Sequence, residues 1–192
     1  MLKLIISFLL LLPSSPTAAT VLVSYSSSIT QNSLNNLSDS IARAARAMRP
    51  DSERVVVVVL SSAGGDLQKA IRYAQQDGPE LAQRVGVRLD TRVNNYASCE
   101  SACTVLFTMG ARRTAWRNSK FGFHSPQIES RLPAGMSREY VLDYIRNLWT
   151  DAIARVDPGL ARQIESRRYL MRVDMQYLSG RAVSGGYVND LR

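Results

Sequence analysis

Histidine occurs once in these 192 residues, at His124, and cysteine twice, at Cys99 and Cys103. A zinc-finger array or a histidine-rich metal cage needs about four ligands per ion, so this inventory excludes both. With 11 glycines and 7 prolines there is no room for a long low-complexity linker. A hydrophobic content of 45% with 21% charged residues excludes a disordered or collagen-like chain. The length suits one domain with a real core, and not comfortably two.

The first 19 residues have their own composition. Met1, Leu2 and Lys3 precede an apolar run from Leu4 to Leu12 broken only by Ser7, and Pro13, Pro16, Thr17, Ala18 and Ala19 follow. One early positive charge, about nine apolar residues and a small-residue end match the three regions of a secretory signal, and the run is roughly half of a membrane span. The expectation is an export signal over residues 1–19, one domain over 20–192, a periplasmic or secreted location and no stable membrane insertion after cleavage. The competing account, a buried N-terminal helix or an uncleaved anchor, is opposed by the two prolines.

Beyond residue 19, 23 basic residues face 16 acidic ones, a formal +7 carried almost wholly by arginine; Lys69 and Lys120 are the remaining lysines. The arginines stand singly or in pairs such as Arg112-Arg113 and Arg167-Arg168. No basic stripe interleaved with aromatics appears, so the charge reads as a soluble basic surface and not as a nucleic-acid site.

Val21 to Tyr25 reads as a strand, and Leu34, Leu37, Ile41, Ala45 and Met48 mark one face of a helix stopped at Pro50. Val55 to Leu60 is a wholly apolar run dominated by valine, the pattern of a strand buried on both faces of a parallel sheet. A helix is expected from Asp66 to Gln76, ended by Asp77-Gly78-Pro79, and a third strand over Val87 to Val93. A polar loop, an apolar helix from Ala102 to Met109, and strands at Thr114–Trp116 and Lys120–His124 follow. The last helix expected runs from Ser137 to Val156, with Tyr140, Tyr144, Leu148 and Ile153 on its face. The Ser125–Gly135 loop, with two prolines and a glycine, has the composition of a mobile segment.

Two places put reactive-looking groups at strand ends. Gly64-Gly65, between a buried strand and a helix, could expose N–H groups as an anion or oxyanion cradle, although a tight turn accounts for two glycines equally. Asp66 is a good helix cap and opposes phosphate there. The second place is Cys99-Glu100-Ser101-Ala102-Cys103. A serine at a loop-to-helix turn can present its hydroxyl to a carbonyl, or can simply cap the helix. Any serine mechanism would need His124 as its base, and a lone histidine can equally be structural.

The order and spacing of these features resemble the Clp protease proteolytic subunit and its relatives in the ClpP/crotonase superfamily. The family's Asn-Ser-Pro-Gly-Gly corresponds to Ser61-Ser62-Ala63-Gly64-Gly65. Its nucleophile before an apolar helix ending in Gly-Ala corresponds to Ser101, nine residues before Gly110-Ala111. The ungapped segment from Arg117 to Pro126 is similar to the family's stretch ending in His-Gln-Pro, and Asp174 through Ser179, then Ala182, Gly186, Tyr187 and Val188, to its C-terminal pattern. The resemblance implies an α/β fold: a spiral of βαβ units with helices over a mostly parallel sheet. It implies a serine endopeptidase with Ser101, His124 and Asp174 as a triad, the N–H groups of Gly65 and Ala102 as the oxyanion hole, and no metal or organic cofactor. Peptide or unfolded protein would be the substrate, cleaved without ATP, and a homo-oligomer is expected.

Departures accompany the matches. Asp174 lies one residue farther from its Leu-Ser than the family's Asp, the family's Pro is Ala63, and the small residue before the nucleophile is Glu100, expected to point outward. In an exported chain Cys99 and Cys103, four apart as on a helical turn, are candidates for a disulfide clamping the serine turn; two buried thiols are the other account. A catalytically inactive assembly or peptide-binding protein of the same fold is the competing expectation. An acyl-CoA enzyme is disfavoured by the compartment, and a Ser-Lys dyad by the positions of Lys69 and Lys120.

Overall fold

A computed structural model describes residues 18–192 except Asp51, residues 129–131 and residues 133–134. Most of the expected export signal and part of the Ser125–Gly135 loop therefore lie outside the described residues.

The centre of the molecule is β2 (Arg54–Leu60), whose Val55 to Val58 and Leu60 are buried. Valines on both faces leave it no solvent side, so it takes parallel neighbours: β1 (Ala19–Tyr25) pairs Val21 with Val56, and β3 (Arg88–Val93) pairs Asp90 with Val57. Short β5 (Arg113–Ala115) and β8 (Asp190–Leu191) complete the parallel five-stranded sheet β1-β2-β3-β5-β8. Helix α1 (Gln31–Ala47) starts at a reciprocal cap, with Thr30 Oγ1 accepting from the Ser33 N–H and Ser33 Oγ from the Thr30 N–H. Leu34, Leu37, Ile41, Ala45 and Met48 are buried, the stripe their spacing predicts.

The helix expected from Asp66 to Gln76 does not stop at Asp77-Gly78-Pro79. Helix α2 (Leu67–Arg72) passes through one wide π-turn, residues 73–77, into α3 (Gly78–Val85), which ends at left-handed Gly86. The Gly78 N–H bonds the Tyr73 carbonyl, and Pro79 falls in the first turn of α3, where a missing N–H costs little. The wide turn absorbs what reads in sequence as a stop.

A smaller sheet stands beside the first. It holds β4 (Ser98–Glu100) parallel to β6 (Lys120–Phe123), and β7 (Gln176–Ser179) antiparallel to β6. Strand β4 lies inside the segment read as a polar loop; three residues are too few for a periodic signal. Between β4 and β5 runs α4 (Ala102–Leu106), extended by a 3₁₀ turn to Met109. Helices α5 (Arg138–Ala154) and α6 (Pro158–Ser166) come last. The face expected for α5 is only partly right: Ile153 is buried, but Tyr140 and Tyr144 are 62% and 51% exposed, because full burial is confined to Trp149, Thr150, Ala152 and Ile153 near its C-terminus. Among the described residues no helix is long and apolar enough to cross a membrane.

The first turn of α4 is fastened from two sides. Trp149 Nε1 donates to Thr104 Oγ1 at 2.9 Å, Thr104 Oγ1 donates to the Ser101 carbonyl at 2.7 Å, and Tyr187 OH donates to the Thr104 carbonyl at 2.5 Å. All three side chains are buried, and Tyr187 packs at 5.1 and 5.3 Å between ring centroids against Phe107 and Phe121. Replacing Thr104 by the isosteric Val leaves the Trp149 indole N–H buried without a partner. This should cost about 2 to 3 kcal/mol, and lower the melting temperature by roughly 5–10 °C, while Thr104→Ser stays near the parent. Thermal melting of the two variants checks this; equal stability of Thr104→Val and parent would show that the network contributes nothing.

Candidate functional site

The site grows from the C-terminal ends of neighbouring parallel strands. Glu100, the last residue of β4, pairs with Gly122 on β6, and the next residue, Ser101, donates its N–H to the Gly122 carbonyl at 2.8 Å. His124 stands two residues beyond Gly122, about 7 Å further along the same strand direction. Ser101 and His124 are thus brought to one rim of the small sheet.

The loop after β2 supplies the other wall. Ser62 bridges to β4, its N–H donating to the Ser98 carbonyl at 3.2 Å and its carbonyl accepting from Glu100 at 2.9 Å. Ser62 Oγ also accepts the Gly64 N–H at 3.1 Å, so the turn that follows is held in place. Gly64 then lies so close to the serine that a Cβ on it would sit 2.6 Å from Ser101 Cβ and 2.8 Å from the Glu100 carbonyl oxygen. Its φ of +99° and the +138° of Gly65 are backbone states that side chains resist.

Ser101 itself has φ +53° and ψ −130°, one of three non-glycine residues with positive φ among the described residues. Its hydroxyl caps nothing, which removes the capping account of a serine at this position. The N–H groups of Gly65 and Ala102 likewise have no protein partner among the described residues. A strained turn, an unengaged hydroxyl and two free amides on adjoining segments are the geometric ingredients of acyl transfer.

The disulfide joins Cys99 to Cys103 with Cα atoms 5.2 Å apart. Cys99 belongs to β4 and Cys103 to α4, so the bond closes a strand-to-helix turn around Ser101 and not a turn of helix, as the four-residue spacing had implied. Both residues are fully buried. Glu100 points outward along the sheet, where its Oε1 accepts the Tyr177 hydroxyl at 2.9 Å. That bond, with some burial and the negative charge of Glu100, pushes the Tyr177 pKa up. Asp66 caps α2 through the Lys69 N–H at 3.0 Å and also meets the Lys69 ammonium; burial pushes its pKa up, but these bonds outweigh it and the carboxyl lies below its ordinary value.

His124 is half-buried, its ring edge-on to Trp149 at 6.0 Å. Asp174 does not meet it. The β6–β7 ladder runs in register to Phe123 opposite Gln176, but the Ser125 N–H then bonds the Arg172 carbonyl at 2.6 Å, two residues out of register. Residues 173–175 bow out from the ladder, leaving Val173 82% exposed and the Asp174 side chain in solvent, while Met175 lies over Gly122. The Asp174 carbonyl accepts from Gln176 Nε2 at 3.0 Å, and among the described residues its carboxylate has no partner. The extra residue seen in the sequence is where the chain bows. Among the described residues no group of three or more His, Cys, Asp or Glu gathers as a metal site would require.

Sequence reasoning gave no role to Thr104 or Trp149 and noted Tyr187 only within the C-terminal resemblance, because hydrogen bonds between segments 45 and 83 residues apart leave no local pattern; it also missed the Glu100–Tyr177 contact, which needs β7 to be recognised.

No protein-family model matches the chain, and no curated protein matches it. Among solved structures it is similar to a peptidase from Plasmodium falciparum, with 12% identity, TM-score 0.60, and coverage of 89% of this chain and 94% of that one. It is similar also to the ClpP protease catalytic domain from Plasmodium falciparum, with 12% identity, TM-score 0.62, and coverage of 89% and 84%. The chain has the ClpP-like fold, a mostly parallel five-stranded sheet flanked by helices.

Two outcomes test this geometry. Losing the disulfide in Cys99→Ala/Cys103→Ala should cost about 2 kcal/mol by chain entropy, seen as a melting temperature lower by roughly 4–8 °C; an unchanged melt would mean the bridge is idle. Gly64→Ala should displace the serine turn, since the Cβ has backbone as well as side chain in its path. Reactivity of Ser101 towards a fluorophosphonate should drop at least about tenfold if a donor is displaced, and retained reactivity would refute that wall.

Proposed function

We propose that this chain is an exported serine peptidase that cleaves peptide bonds in peptides or unfolded protein without ATP. The observation that carries the reading is Ser101: a positive-φ serine with an unengaged hydroxyl, beside the free N–H groups of Gly65 and Ala102, at the strand end adjoining the only imidazole in the chain. The description of the two solved neighbours as a peptidase and a ClpP protease domain supports it.

In this reading His124 takes the Ser101 proton as Oγ attacks the peptide carbonyl. The C=O bond opens to an oxyanion held by the two amides, at about 3 to 4 kcal/mol per donor. His124 then gives the proton to the leaving amine, and water hydrolyses the acyl-serine by the same steps in reverse. Asp174 is the carboxylate proposed to orient the ring, and residues 173–175 would have to turn inward for it to do so. Export, a periplasmic or secreted location and a homo-oligomeric state belong to the same proposal. So does cleavage of the signal at Ala18 or Ala19; cutting after Ala18 keeps β1 whole.

The exposed Asp174 carboxylate favours a second reading, an inactive member of the fold that binds peptides or assembles. Fluorophosphonate labelling separates the two. The active reading expects labelling of the parent, none in Ser101→Ala, and a fall of at least about 10³ in His124→Ala. Asp174→Asn should cost up to about 10⁴ in turnover if the loop closes, and little if a Ser–His pair acts alone. Labelling that persists in Ser101→Ala would remove the nucleophile; a parent that never labels would leave the second reading.

A further inference from the structure

An open depression of about 880 Å³ lies where α6 ends and β7 begins, lined by Arg167, Arg168, Tyr169, Met171, Arg172 and Gln176 among others, with no acidic side chain in its wall among the described residues. We infer that it is a carboxylate-binding subsite, taking an acidic side chain or the free C-terminal carboxylate of a peptide engaged at Ser101; this rests on the peptidase reading.

The placement is the first argument. The Arg172 carbonyl accepts the N–H of Ser125, the residue after His124, at 2.6 Å, and Gln176 pairs with Phe123, the residue before it. The depression is one hydrogen bond from the strand end that carries the imidazole, within reach of an extended peptide at about 3.3 Å per residue.

The state of the arginines is the second. Three partly covered arginines elsewhere are tied down by their neighbours. Arg54 donates to the carbonyls of Val85 and Gly86, Arg113 to those of Gly110, Gly186 and Tyr187, and Arg88 pairs with Asp90. The adjoining depression is balanced as well: Arg146 there meets Glu139 at 3.1 Å and Asp143 at 2.7 Å. Arg167, Arg168 and Arg172 are exposed and, like several other surface arginines, have no carboxylate partner among the described residues; what sets them apart is that all three line one depression, where Arg172 also donates to Gln176 Oε1 at 3.4 Å.

Their backbone is nevertheless fixed. Arg168 holds φ +54°, with its N–H on the Glu165 carbonyl at 2.9 Å and its own carbonyl accepting from Met171 at 3.0 Å. Three guanidinium groups, each a planar fork of donors, on a fixed turn with no carboxylate at ion-pair distance among the described residues are suited to a carboxylate, although Arg168 also borders the adjoining depression that holds Asp143 and Glu165.

The test is calorimetric titration of the Ser101→Ala chain with three peptides of one neutral core: one with an internal Asp and an amidated end, one with a free C-terminal carboxylate, one neutral and amidated. At least one carboxylate peptide should bind about five- to tenfold more tightly than the neutral one in physiological salt, and which one identifies the source. Arg168→Gln/Arg172→Gln should abolish the preference, Arg168→Lys/Arg172→Lys retain part of it, and Arg43→Gln, remote on α1, leave it intact. Equal binding of all three peptides, or a preference that survives the Gln pair, overturns the inference. Labelling of the parent is scored separately. Labelling without a carboxylate preference defeats the subsite alone, and a preference without labelling defeats the peptidase reading alone.

Discussion

The molecule is organised around a backbone state that serine does not choose. At φ +53° and ψ −130° Ser101 occupies a region that costs of order 1 to 3 kcal/mol for a residue with a Cβ, and it persists only where the surroundings over-determine it. Several constraints converge there. The Gly122 carbonyl holds its N–H, Thr104 holds its carbonyl from both backbone and side chain, and the Cys99–Cys103 bridge closes the turn. Gly64 matters by having no side chain, since any Cβ would occupy the space of Ser101. Each bond is worth about a kilocalorie, so together they can offset the strain.

Those constraints reach far along the chain, which explains why the small sheet exists. The Thr104 network draws on Trp149 from α5 and Tyr187 near the C-terminus, and the glycine turn is tied through Ser62, whose hydroxyl donates to the Ser27 carbonyl at 2.7 Å. Segments that begin at residue 27 and end at residue 187 therefore fix one turn of five residues. A buried disulfide at the turn holds that geometry covalently. Its fixed span favours rigidity over any large gain in global stability, because the loop it closes is short.

Legibility in sequence followed element length. The valine run of β2 and the stripe of α1 are long, periodic and buried as their patterns imply. Ser101, His124 and the glycine pair could be named because a resemblance supplied their order, although each has a bland local explanation. What sequence does not show is the side-chain traffic: β4 and β7 are three and four residues long, below any periodic signal, and Asp77-Gly78-Pro79 carries every mark of a stop yet sits inside a helical run because a π-turn makes room for Pro79. The one-residue offset of Asp174 was visible as a count. Only the ladder between β6 and β7 shows its physical form, a bow that carries the carboxylate out to water.

The acidic groups around the rim share one disposition. Asp66 is spent on the cap of α2 and on Lys69, Glu100 is turned across Gly122 to Tyr177, and Asp174 stands in solvent. None of them is aimed at the free amides of Gly65 and Ala102, where a carboxylate at 4 Å would oppose an oxyanion by about 4 kcal/mol at an effective dielectric near 20. Beside this rim, on the His124 side, the segment from Arg167 to Arg172 carries three arginines without an ion pair among the described residues. Under the proposed readings, a rim with no carboxylate at these amides among the described residues, bordered by unpaired arginines, would favour anions at both places: a developing oxyanion at the first, a carboxylate at the second. The same disposition leaves His124 without a carboxylate partner among the described residues, so none of these groups fixes its tautomer. Under the proposed function, oxyanion stabilisation would therefore be better provided for than general-base catalysis, and the position of residues 173–175 would decide how far the second matches the first.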